Sequence, residues 1–390
     1  MIAILRSLAE RIDAEWKAAG YRPADLPAIA ARLMAETRPD RAYDLGALAD
    51  WTFAEEEFPA SCNPFGPAGP PAFTVWSNPH FFVNVYAYTT PEVVIHDHDF
   101  AGAFINLSGV TIHCTYEFAS ADSIDSNIQV GGVRLRGIEA IGDGSVRQIE
   151  PGQGFIHQVW HISQPTVVLV VRTPALTGGL RQFQYVRPSI ATQVYRSSDH
   201  SFAFPERFRH TRKMAECLRV SSAGIDYVKQ LVEREKPWDA VWHLLENWGY
   251  LQHAGALEEV IERGAKHQGE WFSGIAAAGS EFDVFTSINW RRVVGARERI
   301  VLALLLTFRS WEPMRKALEG LLPGVDPAAQ VADSLGRLAG AATIPVALDP
   351  AEQTALAAVL RGDESEESND AVRNLARQPL LRPLFQPRAL

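Results

Sequence analysis

Hydrophobic positions recur every three or four residues in the first 40 residues, which predicts two amphipathic helices. Leu5, Leu8 and Ile12 share one helical face, Gly20 ends that stretch, and the same spacing resumes at Leu26. This beginning of the chain is therefore predicted to form a helical arm.

Between about residues 70 and 190 the pattern changes to short segments rich in β-branched and aromatic residues. Gly, Pro, Asn and Asp separate these segments, as is typical of tight turns between strands. Strands this short and frequent predict an antiparallel barrel or sandwich. The predicted strands are AFTVW, FFVNVYAY, TIHCTYEF, SVRQIE, TVVLVV and RQFQYV.

Beyond about residue 200 the helical period returns, for example at Ile225, Val228 and Leu231 and in the apolar segment RERIVLALLLTFRSW. An acidic segment, GDESEESND, predicts a mobile linker before the basic tail. The chain is thus predicted to be an α+β protein with four parts. They are a helical arm over 1–45, a β-barrel over 46–195, a helical domain over 196–361, and a linker and tail over 362–390.

Composition narrows the classes of function. A chain of 390 residues with 47% hydrophobic residues can form more than one core. The net charge of −9 argues against a nucleic-acid partner, because such surfaces need clustered Lys and Arg. We also expect no membrane-spanning segment and no signal peptide. The three cysteines have no CxxC spacing, so we expect a reducing, cytoplasmic location.

Two segments carry the candidate chemistry. In EVVIHDHDFAGAFINLSG, His96 and His98 are two residues apart, so both imidazoles project from the same face of a strand. Further on, IEPGQGFIHQVWHIS adds His157 after a Pro-Gly turn. Neutral imidazole is a good ligand for iron, zinc, copper and nickel, so the three histidines predict a metal site.

These two segments resemble the paired motifs of the cupin superfamily over about residues 73–174: HxH, about ten residues, Gly, and a later PGxGxxH. The resemblance implies a jelly-roll barrel with a metal ion in its lumen. The usual cupin glutamate is missing, because Gly102 and Ala103 occupy its two candidate positions. That absence, with HQVWHIS and a strand ending in RTP, is similar to the three-histidine thiol dioxygenases of the cysteine dioxygenase type.

By this resemblance, His96, His98 and His157 are the metal ligands. Fe(II) is the expected cofactor, and Zn, Ni, Cu or Mn are the alternatives. The alternative is a purely structural role. The three residues would then be barrel histidines with ordinary hydrogen bonds, or ligands of a structural zinc. Three histidines in an apolar lumen would be costly to bury without a partner, which favours a functional metal site.

The residues with which cysteine dioxygenases bind their substrate are replaced. No arginine lies near Val75, where the family has one, and the Ser-His-Tyr set is replaced by Val168, Val170 and Arg172. Ala103 stands where the family has its crosslink-forming cysteine. We therefore expect an oxygenase that acts on a small molecule other than free cysteine.

Four residues are candidates for substrate binding. Tyr86 and Tyr88 share one face of a predicted strand, but the sequence does not decide whether that face lines the lumen. His161 lies four residues after His157. Arg172 ends an apolar strand and needs a partner, either a protein carboxylate or an anionic group of a substrate.

Three functions remain open from the sequence. The first is a non-haem Fe(II)-dependent oxygenase whose partners are a small-molecule substrate and dioxygen. The second is a cupin isomerase, lyase or hydrolase in which the metal acts as a Lewis acid. The third is a non-catalytic metal-binding barrel with a helical partner-binding domain. The sequence assigns no chemistry to the helical domain, for which three roles stay open: covering the barrel mouth, forming a homodimer or docking a carrier.

Overall fold

The computed structural model describes residues 1–61, 72–176, 181–194, 204–221, 223–363, 365, 368 and 372–386. Cys62 and much of the predicted linker over 362–370 lie outside these residues. The described chain divides into two compact units, Met1–Thr89 with Val93–Ile275 and Thr90–Glu92 with Ala276–Leu390.

The first unit contains the barrel and helices on both sides of it in sequence. Three helices precede the barrel: α1 (Ile2–Ala18), α2 (Leu26–Thr37) and α3 (Leu45–Ala54). The helices that follow it are α4 (Glu206–Leu218), α5 (Ala223–Arg234), α6 (Pro237–Glu246), α7 (Trp248–His253) and α8 (Leu257–Gln268). The two helices predicted in the first 40 residues are thus confirmed.

The strands of the first unit form two antiparallel sheets. They are β1 (Phe73–Ser77), β2 (Phe82–Tyr88), β3 (Ile95–His98), β4 (Gly102–Ser108), β5 (Thr111–Ser123), β6 (Ile128–Ile141), β7 (Val146–Ile149), β8 (Gly152–His161), β9 (Thr166–Arg172), β10 (Phe183–Val186) and β11 (Ile190–Gln193). One sheet has five strands in the order β1-β2-β9-β4-β7. The other six strands form a closed barrel in the order β10-β11-β6-β5-β8-β3. This arrangement confirms the antiparallel β-barrel that the sequence predicts.

The five-stranded sheet separates two environments. Alternate residues such as Val85, Ile105 and Leu169 pack on α1, α2 and α3, while Val168 and Val170 belong to a cluster with Phe100 and Phe104 inside the barrel. Since both faces of β9 are covered, a strand that is apolar on both faces is the expected sequence. The face of β2 that carries Tyr86 and Tyr88 is the inner one, because Val83, Val85 and Ala87 pack on the helices.

The second unit is helical. Its helices are α9 (Ile275–Ser287), α10 (Ala296–Thr307), α11 (Trp311–Leu321), α12 (Pro327–Gly340), α13 (Pro350–Arg361) and α14 (Arg382–Phe385). Helix α10, which the sequence predicts as apolar, is buried from Arg299 to Leu305 and packs on α11 and α12. Among the described residues, no helix is both long and apolar enough to cross a bilayer.

Candidate metal centre

His96, His98 and His157 come together inside the barrel. The pairing of β3 with β8 places His96 directly opposite His157, and a register shift follows before His98. Each of the three side chains offers a ring nitrogen, and these nitrogens lie within 4.8 Å of one another. His98 and His157 are buried, and His96 is partly exposed.

Hydrogen bonds determine which ring nitrogens are available to a metal. The Nδ1 of His96 lies 2.9 Å from the carbonyl oxygen of Val94. Because a carbonyl only accepts, this Nδ1 carries the proton and Nε2 keeps the lone pair. The Nε2 atoms of His98 and His157 are 3.0 Å apart. Two imidazoles bound at right angles to one ion, at about 2.0–2.1 Å, would have almost this separation.

Burial keeps the imidazoles in the form that binds a metal. Burial lowers the pKa of His96, and it lowers the pKa of His157 well below its usual value, with the neighbouring histidines adding to the effect. Neutral imidazoles at neutral pH offer lone pairs without first losing a proton. The donor set therefore fits a divalent transition metal.

The expected absence of a ligand carboxylate has a structural reason. Ala103 faces the helices on the outside of the sheet, so a side chain there cannot reach the histidines. Gly102 pairs with Arg172 across the sheet, and a Cβ at this position would collide with the carbonyl oxygen of Val171. Neither position can present a glutamate without movement of the backbone.

A fourth histidine, which is not among the candidates predicted from the sequence, contacts the cluster. His113 on β5 is 1% exposed, and its Nε2 lies 3.1 Å from the Nδ1 of His157. Its own Nδ1 lies 3.1 Å from a carboxylate oxygen of Glu139, to which Arg147 also donates at 2.9 Å. The one signal in the sequence is the alternation of side chains along β5. It places His113 on the face opposite to that of Cys114, which packs in the core.

Aromatic rings surround the histidines. The ring centroids of Phe100 and His98 are 4.5 Å apart, and those of Phe155 and His157 are also 4.5 Å apart. Phe104 is farther away, at 6.3 Å from His157. A substrate beside the cluster would therefore meet an apolar, aromatic wall.

Three of the four candidate substrate residues form a separate group. Tyr88 stacks on His161 with 3.9 Å between ring centroids, and Tyr86 is 6.0 Å from Tyr88. The Nδ1 of His161 lies 3.4 Å from the hydroxyl of Thr111. His161 is four residues beyond His157 on the same strand, roughly 13 Å along it. This group lines the lumen away from the three-histidine cluster.

Arg172 lies close to the cluster. It is 7% exposed, its guanidinium sits 3.6 Å over the ring of Phe100, and its Nε donates to the carbonyl oxygen of Thr173 at 3.3 Å. Phe100 also contacts His98, so one ring bridges the cation and the histidines. Within the described part of the chain, no carboxylate forms an ion pair with Arg172. The first of the two partners predicted for Arg172, a protein carboxylate, is therefore absent among the described residues.

No protein-family model and no curated protein matches the chain. Solved structures do match. A protein with a double-stranded β-helix domain from Klebsiella pneumoniae is 15% identical, over 29% of this chain and 80% of that one, with a TM-score of 0.20. Hydroquinone 1,2-dioxygenase PnpCD, in complex with Cd²⁺ and 4-hydroxybenzonitrile, is 15% identical over 27% of this chain and 64% of that one, with a TM-score of 0.20.

An oxalate oxidase is 16% identical, over 46% of this chain and 81% of that one, with a TM-score of 0.23. At these identities and TM-scores the matches carry no argument about activity. The fold follows from the strand order and pairing of this chain, and the candidate site follows from its own side chains.

Proposed function

We propose that the protein is a non-haem Fe(II)-dependent oxygenase that acts on a small molecule inside the cupin barrel. The observation that carries the proposal is the three-histidine cluster without a carboxylate, set in an aromatic lumen. Three neutral ligands leave coordination positions for both a substrate and dioxygen. When bound, ferrous iron would supply the one-electron chemistry that dioxygen requires.

The residues of the chain have distinct proposed roles. His96, His98 and His157 hold the metal, and the phenylalanine rings exclude water from the apolar part of a substrate. Arg172 binds an anionic group of that substrate, because its guanidinium is buried and none of the described carboxylates forms an ion pair with it. Tyr86, Tyr88 and His161 line the far part of the lumen and would contact a longer substrate.

By its resemblance to the cysteine dioxygenase type, the chain has the three histidines of that type but not its substrate-binding residues. A cation is available from β9, at Arg172, rather than near Val75. A substrate anchored at Arg172 would approach the histidines past Phe100, so we expect a small carboxylate with an apolar or aromatic body. Free cysteine lacks such a body.

Lewis-acid chemistry is the competing function, and it is less favoured because the described side chains next to the three histidines are mainly aromatic rings. A hydrolase or isomerase needs a base beside its substrate. Glu139, a carboxylate that reaches the cluster through His113, is bonded to Arg147 and His113. Burial raises the pKa of Tyr88, so that hydroxyl stays protonated.

Oxygen uptake tests the proposal. Iron-loaded protein is mixed with a panel of small thiol, phenolic and aromatic carboxylates in an oxygen electrode, and zinc-loaded protein is the control. We expect iron-dependent oxygen consumption with at least one of them and none with zinc. Equal turnover of a substrate by both metals without oxygen would show Lewis-acid chemistry instead.

Free cysteine is the matched negative substrate. Arg172 could bind its carboxylate, but without an arginine near Val75, cysteine cannot bind in the orientation that the resemblance implies, in which the charge-assisted hydrogen bond to that arginine is worth about 1.5–3 kcal/mol. We expect no efficient formation of cysteine sulfinate by the iron-loaded protein, measured by chromatography. Rapid sulfinate formation would show that the replaced residues are not needed for cysteine.

A further inference from the structure

We propose that His113 and Glu139 are positioning residues that fix the tautomer of His157 and so aim its Nε2 lone pair at the metal. The inference rests on the metal centre proposed above, but not on the oxygenase reaction. It concerns two residues outside the three-histidine cluster, connected to it by a chain of hydrogen bonds.

The chain of hydrogen bonds has one direction. Arg147 donates to Glu139, so Glu139 is held as an acceptor next to the Nδ1 of His113. A carboxylate accepts, which makes this Nδ1 the protonated nitrogen of His113. The neutral ring then has its lone pair on Nε2, which lies 3.1 Å from the Nδ1 of His157.

The same logic passes to His157. Its Nδ1 donates to His113, so its Nε2 carries the lone pair. That Nε2 is the atom 3.0 Å from the Nε2 of His98, on the side where the metal would lie. His96 reaches the same state by a shorter route, through the carbonyl of Val94. Two of the three histidines thus have their tautomer set by a partner behind the ring.

Packing holds the intermediate imidazole in place. The imidazole of His113 packs beside two phenylalanine rings, with 6.0 Å between its ring centroid and that of Phe104 and 5.8 Å to that of Phe155. Glu139 lies opposite His113 in the pairing of β5 with β6, so the sheet itself sets their approach. Glu139 is exposed and Arg147 is partly exposed, whereas His113 is buried, so the ion pair lies on the solvent side of His113.

Zinc affinity of purified metal-free protein tests the proposal. The metal is titrated in competition with a chromophoric chelator, for the wild type and for His113→Leu, His113→Gln and His243→Leu. We expect His113→Leu to weaken zinc binding about 10–100-fold. His113→Gln should restore most of the affinity, because its amide oxygen can accept the Nδ1 proton of His157.

His243→Leu is the matched control. It removes another fully buried imidazole, bonded to Thr211 on the helices after the barrel, and should leave zinc affinity unchanged. Folded His113→Leu protein with wild-type zinc affinity would overturn the proposal. If the wild type itself bound no zinc, the metal centre and the proposed function would fall together.

The tautomer can also be observed without any variant. Nitrogen-15 spectra of the imidazoles in metal-free wild-type protein should show the proton of His157 on Nδ1. In His113→Leu the same ring should change toward a mixture of tautomers. A wild-type His157 with its proton on Nε2 would overturn the proposal, even if His113→Leu failed to fold.

Discussion

The side chains of β3 make contacts on two faces of one strand. His96 and His98 point into the lumen, while Asp97 between them accepts hydrogen bonds from the backbone of Phe183 at 2.6 Å and the hydroxyl of Tyr185 at 2.8 Å. Both partners lie on β10, so Asp97 ties the strand that presents the histidines to its neighbour. The alternation His-Asp-His thus places two candidate metal ligands on one face of β3 and, on the other face, a carboxylate that holds the strand in position.

Arg172 gives a prediction at this scale. Arg172→Met should leave zinc content and melting temperature nearly unchanged, because an apolar side chain replaces a buried charge without an ion-pair partner among the described residues. Binding of benzoate, used as a probe carboxylate, should weaken at least about tenfold, as expected for a loss of about 1.4 kcal/mol. Calorimetric titration measures it.

The opposite result would change the role of Arg172. If the variant melted several degrees lower and bound benzoate as the wild type does, the arginine would be structural. The anion-binding group would then have to be sought elsewhere in the lumen.

How far the sequence predicts single residues depends on whether contacts are local. The HxH pair could be predicted because strand geometry alone places both rings on one face. His113 could not be connected to His157 in this way, since the contact depends on the pairing of β5 with β8. Its link to Glu139 depends in turn on the pairing of β5 with β6.

At the scale of elements, the helical arm decides which face of the five-stranded sheet becomes the lumen. The sequence predicts β2 as a strand, yet FFVNVYAY has apolar or aromatic residues on both faces, so its alternation does not show which face is inside. Packing of Leu5, Leu8 and Ile12 against Val83 and Val85 settles it. The tyrosines face inward as a consequence.

This packing gives a prediction for the outer face of β9. Leu169 is fully buried among the residues that pack on the helical arm. Leu169→Ala should lower the free energy of unfolding by about 2–5 kcal/mol through the lost contacts and the cavity. Zinc affinity should not change while the protein is folded, because the side chain points away from the lumen.

Leu45→Ala is the matched control, since Leu45 begins α3 and is 48% exposed. Its effect should stay within about 0.5 kcal/mol in denaturant unfolding. A similar loss in both variants, or a loss of zinc binding in folded Leu169→Ala protein, would contradict this assignment of the two faces.

For the whole molecule, the first unit contains every residue of the candidate site. The barrel could be predicted from the density of short strands and the spacing of its motifs. The division of the later helices between the two units could not be predicted. A hydrophobic period shows that a helix buries one face, but it does not show which element that face packs against. The proposed chemistry belongs to the first unit, and its central feature is the candidate metal centre of three histidines.

Anomalous diffraction from crystals loaded with Fe(II) without oxygen tests that centre most directly. Data collected at the iron edge should show one strong peak about 2 Å from the Nε2 atoms of His96, His98 and His157, with no carboxylate oxygen at that distance. A peak at another place, or iron-loaded crystals with no peak between these three rings, would contradict the account.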